Sequence, residues 1–403
     1  MNYNDKKIMM LGFSHCVDDG RITFRESVAL KQEGYRVRII GRARGDYLPG
    51  VCTPYGIPAL ALKSRYLQDM VLRFALEPFS RIKFLFICWK YSGWADVLHC
   101  HEYQSLTIGL ILGKLRGQKV IYDCHEFQPE LFAEMFGSEQ TLRYKIIRWI
   151  SSKIENYQST LCDGIVTVND LLSERFLKVN SRVCDLPNYP SIRLSEEKDV
   201  DVNRLDKLKF MIKDKFVIGF VGNLCNDRGV DTLIKAFGDL CVKRDDVVLL
   251  LVGSSSQLDL YRSLAKEYNI LDKIFFSGSF KYTELATYLR LIDLGVYVPV
   301  TNNYIEYSCA TKIFQYCAFG IPVILNSTYA HRDLIEKIEF GVLVDNNSVE
   351  SLANILLQLS TDKESFSLLK MNAKSGFEKF WNAEIVVEQF INFYSQVLRK
   401  VLK

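Results

Sequence analysis

Apolar residues in this chain fall into two patterns, short β-branched runs and stretches in which they recur every three or four positions. The runs at 7–12, 36–41, 97–101, 119–123 and 164–168 are continuous rather than alternating, which predicts strands buried on both faces. Between them, 24–33, 104–116, 139–162 and 170–178 carry the spacing of amphipathic helices. Such alternation predicts a parallel, doubly wound sheet. Leu186-Pro187-Asn188-Tyr189-Pro190 interrupts it, because each proline drives the residue before it into extended backbone. Residues 195–209 are charged and nearly free of apolar clusters. The pattern then restarts, with strands at 216–221, 246–252, 274–277, 294–298, 322–326 and 342–344 and helices at 230–243 and 258–268.

Two α/β domains follow from this: residues 1–187, a linker over 188–213, and residues 214–378. A last helix over 379–403 has its apolar positions, from Ile385 to Leu398, on one face and is expected to cross back to the first domain. Ligands of doubly wound sheets bind beyond the carboxyl ends of the strands, so two such sheets facing a cleft would offer both sets of loops.

Composition excludes some classes. With 403 residues, 48% hydrophobic and 24% charged, the chain is an ordinary globular protein long enough for two cores. A net charge of +4 is too small for a nucleic-acid partner, and it is concentrated at 63–90, where six Lys/Arg face only Asp69 and Glu77. The longest apolar runs, 84–89 and 106–112, fall short of the ~20 residues of a bilayer span. The apolar stretch after Lys6-Lys7 is too brief for a signal peptide, so the expected location is cytoplasmic. Eleven scattered cysteines with no CxxC pair read as small buried hydrophobes in a reducing compartment, not as a zinc or disulfide framework.

Candidate chemistry gathers at the strand ends of the second half. Gly222-Asn223 closes the first strand there, and Arg228-Gly229 opens the next helix. A glycine at a strand end with a loop cation beside it admits a phosphate to the backbone. The following strands end in Gly253-Ser254 and in Gly278-Ser279-Phe280. Residues 306–324 read as a loop (Glu306, Tyr307), a helix from Ala310-Thr311-Lys312 through Gln315, a stop at Gly320 and a buried strand. That helix N-terminus suits a diphosphate. In the first half, His15, His99, His101 and His125 all stand at strand ends. Asp199-Val-Asp201, a DxD pair, has no strand before it and reads as a solvated run, so no metal site and no cofactor are expected.

The order GNLxxxRG, LLLVG, FxG and TKIFQYCAFGIPVI resembles the donor half of family 4 retaining glycosyltransferases, whose fold is the two-Rossmann GT-B type. Asp19-Gly20-Arg21, His99-Cys100-His101-Glu102, Asp123-Cys124-His125-Glu126 and Lys379-Phe380-Trp381 agree with it. The resemblance implies transfer of a sugar, with retained configuration and without a metal, from a nucleotide diphosphate sugar to a hydroxyl. It implies that Arg228 and Lys312 hold the diphosphate, that His125 hydrogen-bonds the donor sugar, and that the departing phosphate helps deprotonate the acceptor. Gly222, Asn223, Gly253, Ser254, Phe280, Glu306, Tyr307, Ala310, Thr311 and Gln315 fall on the donor side, and His15, Arg21, His101 and Glu126 on the acceptor side. The family's two glutamates, eight apart, map to Tyr307 and Gln315, and a frequent second cation maps to Asn223. These departures keep open a non-catalytic or partner-dependent GT-B subunit, or a sugar-nucleotide epimerase on the same fold. Residues 63–94 interleave cations with aromatic and aliphatic residues. They are either a face for an anionic membrane, suited to a lipid-linked or polysaccharide acceptor, or a helix with an apolar core stripe.

Overall fold

In the computed structural model the chain forms two units, one of Met1–Asn188 with Val386–Lys403 and one of Tyr189–Ile385. The structure describes residues 5–43, 53, 56–62, 70–192, 194, 205–301, 303–306, 308–345 and 348–399. Tyr307, the DxD pair and residues 63–69 lie outside the described residues.

The first unit is a seven-stranded parallel sheet of β1 (Lys7–Cys16), β2 (Arg36–Arg42), β3 (Ala59–Leu62), β4 (Val97–His101), β5 (Lys119–Asp123), β6 (Gly164–Thr167) and β7 (Val183–Asp185). Its order is β3-β2-β1-β4-β5-β6-β7, so strand order reverses between β1 and β4. The edge strands β3 and β7 were not legible as apolar runs because they are only four and three residues long. Alternate residues of β1 serve opposite cores: Ile8 and Met10 pack on one face, Met9 and Leu11 on the other.

Helices α1 (Met70–Ser92) and α2 (Glu102–Arg116) cover the second of these faces through Phe84, Cys88, Leu106 and Leu112. Helix α3 (Leu142–Thr160) starts at Thr141, whose hydroxyl accepts from Tyr144 N–H.

The second unit repeats the design with β8 (Phe216–Val221), β9 (Val247–Val252), β10 (Ile274–Phe276), β11 (Leu294–Tyr297), β12 (Val323–Asn326) and β13 (Gly341–Val344), ordered β10-β9-β8-β11-β12-β13. Here the order reverses between β8 and β11. Strand β9, VVLLLV, is buried at every position, as a strand covered on both faces must be. Helices α4 (Val230–Lys243) and α5 (Thr311–Ala318) follow β8 and precede β12.

The last helix, α6 (Ala383–Leu398), leaves the second unit and buries Phe390, Phe393, Tyr394 and Val397 in the first unit's other core. The linker anchors its start: Ala383 N–H donates to Pro190 O, and Glu384 accepts from Ile192 N–H. The described cysteines are free, and Cys88, Cys100, Cys124, Cys162, Cys184 and Cys317 are buried. Among the described residues no helix is long and apolar enough to cross a membrane.

Candidate active site

The glycine-ended strands of the second unit converge. Gly253 has φ of 151° and sits so close to β8 that a Cβ there would lie 1.8 Å from Gly222 O. Its N–H donates to Ser277 Oγ, and it bridges to Gly278. Three strand ends are thereby held edge to edge, with Ser254 exposed beside them and its carbonyl accepting from Leu224 N–H. Phe280 packs edge-on against Tyr288 beyond β10.

Arg228 ends a single helical turn, Asn226–Arg228. Gly229 follows at φ of 74°, and a Cβ there would lie 2.0 Å from Val298 O. Only glycine allows this loop to lie against the end of β11. The position directs Arg228 to Tyr297 at the end of β11, where its Nη1 donates to the phenol oxygen at 2.8 Å. Lys312, in the first turn of α5, places its ammonium 3.8 Å from the Phe220 ring centroid and 4.6 Å from that of Tyr297. Two cations of different elements thus share one aromatic residue, at the switch point of the sheet. Burial, and then the charge of Arg228, hold the Lys312 ammonium well below its ordinary pKa.

Ala310 and Thr311 bring the α5 N-terminus beside them, and no side chain caps it. Buried Tyr316 fixes the helix, its hydroxyl accepting from Val221 N–H and donating to Gly219 O. Gln315 is half-buried in the next turn, and Asn223 is exposed. Glu306 is drawn elsewhere: it accepts from Tyr329 N–H at 2.9 Å and lies 3.7 Å from Arg332 Nη2, capping a different helix.

Residues 203–376, most of the second unit, match the family described as Glycosyl transferases group 1. The second unit is a group 1 glycosyl transferase domain. Over 292 residues, 71% of this chain and 62% of that one, the chain is similar to the alpha-monoglucosyldiacylglycerol synthase of Streptococcus pneumoniae, at 23% identity. Sucrose-phosphate synthase from Thermosynechococcus elongatus superposes with a TM-score of 0.72 at 19% identity, over 97% of this chain and 99% of that one. Anabaena HepE, in complex with UDP and glucose, does so at 0.71 and 15% over the same shares. The two-sheet architecture is the GT-B fold, and the matched second unit makes the protein a glycosyltransferase.

In the first unit the strand-end histidines of this glycosyltransferase form one network around Asp123 at the end of β5. Asp123 Oδ2 lies 3.0 Å from His101 Nδ1 and 3.0 Å from His125 Nε2. Arg21 clamps both oxygens of the same carboxylate, at 2.8 and 3.0 Å. Its Nη1 also donates to Leu186 O and Asn188 Oδ1, and its Nε lies 2.7 Å from Glu26 Oε1. Arg21 is buried with its donors committed inside the network, so its role there is to hold Asp123. Burial opposes the Asp123 charge, but Arg21 and then His125 outweigh it and hold the carboxyl well below the usual range.

Glu102, which the sequence offers only as the last residue of the His99–Glu102 motif and with no role, has its Oε1 3.4 Å from His125 Nδ1 and 3.7 Å from His15 Nε2. It occupies φ of 65°, a left-handed conformation rare for a residue with a Cβ. Its place directly after His101, where the strand turns into α2, was the available signal. Glu126 is half-buried, its carbonyl accepting from Gln128 N–H.

Two groups, Glu26/His99/His101/Asp123 and His15/Glu102/His125, cluster donor atoms within 4.8 Å of one another. In the first, Arg21 already holds the Asp123 carboxylate, and burial and then Asp123 push the Glu26 carboxyl well above its ordinary range. In the second, His15 holds a proton. Burial disfavours its charged ring, but Asp19 and Glu102 outweigh that and raise its pKa to about 10.

A folded state that keeps this proton, where the unfolded histidine releases it near 6.5, gains stability that is full below pH 6.5 and is lost as pH rises through about 10. The urea midpoint is therefore expected to fall between pH 7 and 10. His15→Gln should flatten that decline, and an equally steep decline in the variant would count against the assignment.

Proposed function

We propose that the chain is a retaining, metal-independent glycosyltransferase of the family 4 type. It moves a sugar from a nucleotide diphosphate sugar to a hydroxyl of a lipid-linked or polysaccharide acceptor, in cell-surface glycan assembly of the capsule or O-antigen kind. The observation that carries this reading is the pair of cations, Arg228 and Lys312, gathered on Tyr297 beside an uncapped helix N-terminus. In transfer, the bond from the sugar's anomeric carbon to the diphosphate breaks as the acceptor oxygen bonds that carbon. The acceptor proton passes to the departing phosphate. Arg228, Lys312 and the N–H groups of Thr311 and Lys312 take up the charge that a metal would otherwise carry. His125, held by Asp123 and Glu102, serves the donor sugar.

The relative from S. pneumoniae is named for a diacylglycerol product, which supports a lipid acceptor here. A place at the cytoplasmic membrane face fits α1, which buries Phe84 and Cys88 yet exposes Phe79, Ile82, Phe86 and Trp89 alongside Lys83 and Lys90. Glu306 favours one second reading, a non-catalytic subunit, because its carboxylate is spent on Tyr329.

Calorimetry separates the two. UDP, GDP or dTDP, alone or as the sugar conjugate, is expected to bind with micromolar affinity. Because burial and Arg228 lower the Lys312 pKa and a bound diphosphate favours its charged form, binding is expected to raise that pKa, so the affinity should fall as pH rises. No heat with any of these ligands would leave the non-catalytic subunit standing. Affinity unchanged by Lys312→Ala would remove Lys312 from the diphosphate site.

A further inference from the structure

Helix α3 turns its apolar side outward. Leu142, Ile146, Trp149, Ile150, Ile154 and Tyr157 recur every three or four residues and so share one face. All six are exposed, from 44% for Ile154 to 72% for Leu142. The side facing the protein is the polar one: Glu155 and Ser159 are buried with Tyr144, and Glu155 accepts from Tyr122 and pairs with Arg175. A surface helix of a globular domain normally shows the reverse arrangement. Scattered exposed apolar residues are ordinary, but a continuous stripe marks an interaction surface.

Charge selects the partner. Arg143, Lys145 and Lys153 are exposed on the same helix, Arg148 pairs with Glu130, and the one acid, Glu155, is buried. The surface is continued by α2 and α1 on the same side of the sheet. Gln158 joins α3 to Thr107 of α2, and Arg116 of α2 stacks 4.3 Å from the Trp89 ring of α1. Residues 79–92 of α1 contain no acid. We propose that the outer face of α3 is a docking surface for an anionic lipid bilayer. Its apolar residues enter the acyl boundary, Trp149 and Tyr157 sit at headgroup level, and the basic side chains meet lipid phosphates. A symmetric contact with a second copy would instead set this basic surface against itself. The proposal rests on the membrane-acceptor reading and adds the outer face of α3 to the surface that α1 offers.

The test is co-sedimentation of the full chain with vesicles of phosphatidylcholine alone or mixed equally with phosphatidylglycerol. Binding to the mixed vesicles is expected to be at least about tenfold stronger and to weaken with salt. Trp149→Glu combined with Ile150→Glu should abolish the gain, and Lys145→Glu with Lys153→Glu should reduce it several-fold, with nucleotide binding unchanged as the control for folding. Equal sedimentation of the parent with both vesicles would overturn the proposal, while nucleotide turnover would still stand or fall separately. Loss on Phe79→Glu with Phe86→Glu alone, and not on the Trp149 pair, would keep a membrane face but remove it from α3. A parent dimer dissolved by the Trp149 pair, without vesicle binding, would assign the face to a second copy.

Discussion

Replacing Arg228 with alanine is expected to lower kcat/KM for the nucleotide-sugar donor by about 10²–10³-fold, or roughly 3–4 kcal/mol of transition-state stabilisation. Negative charge builds on the diphosphate as the sugar leaves, and a donor already fixed in place costs no reorganisation at that moment. Arg228 is fixed in this way. Gly229 presses its loop against Val298, and the Tyr297 hydroxyl accepts from its Nη1. Arg228→Lys keeps the charge and loses the planar fork, so it should recover part of the activity. Tyr297→Phe keeps the ring under Lys312 and removes the hydroxyl, so a several-fold loss is expected. Release of nucleoside diphosphate, measured beside a thermal melt of each variant, reads the series. Activity within threefold of the parent in Arg228→Ala would mean that this arginine merely ends its helical turn.

The same geometry answers for the two glutamates that the family pattern leads one to expect. Gln315 lies in the turn of α5 after Lys312 and can meet a ribose hydroxyl as a neutral partner. Glu306 is not a displaced substitute, because it is committed to Tyr329 and Arg332. Among the described residues the proposed donor side thus rests on Arg228, Lys312 and backbone N–H groups, which suit a diphosphate.

The two sheets were legible because continuous apolar runs have few alternatives to burial on both faces, and β9 is the clearest case. The convergence of Gly222, Gly253 and Gly278 was legible for a related reason: strand ends on one edge of a parallel sheet must be neighbours. Side-chain destinations were not. Arg21 and Glu306 are ordinary polar residues in sequence, and only packing decides that one is buried against Asp123 and the other caps a helix. The outward stripe of α3 has the same period as an inward one, so periodicity alone could not say which side faces water. Glu102 belongs to a legible motif, but its role between His125 and His15 depends on a backbone turn that no residue type announces.

Arg21 carries the largest expected effect on stability. Its guanidinium is the counterweight to the buried Asp123 carboxylate, lies against Glu26, and ties the N-terminal segment to Leu186 and Asn188 at the start of the linker. Removing one partner of such a group leaves a buried charge without compensation, at a cost of about 3–5 kcal/mol. Arg21→Met is thus expected to destabilise the first unit by that amount. Arg21→Lys should cost nearly as much, since a single ammonium cannot hold both Asp123 oxygens, the Leu186 carbonyl and the Asn188 amide oxygen at once. Trp89, Trp94 and Trp149 belong to the first unit and only Trp381 to the second, so tryptophan fluorescence in a urea titration reports mainly the affected part. Pairing Arg21→Met with Asp123→Leu should cost less than the sum of the two single changes, because the second removes the charge that the first strands. A loss under about 1 kcal/mol for Arg21→Met, or strict additivity in the pair, would show that the network does not depend on Arg21. Arg21 would then be available to an acceptor after all.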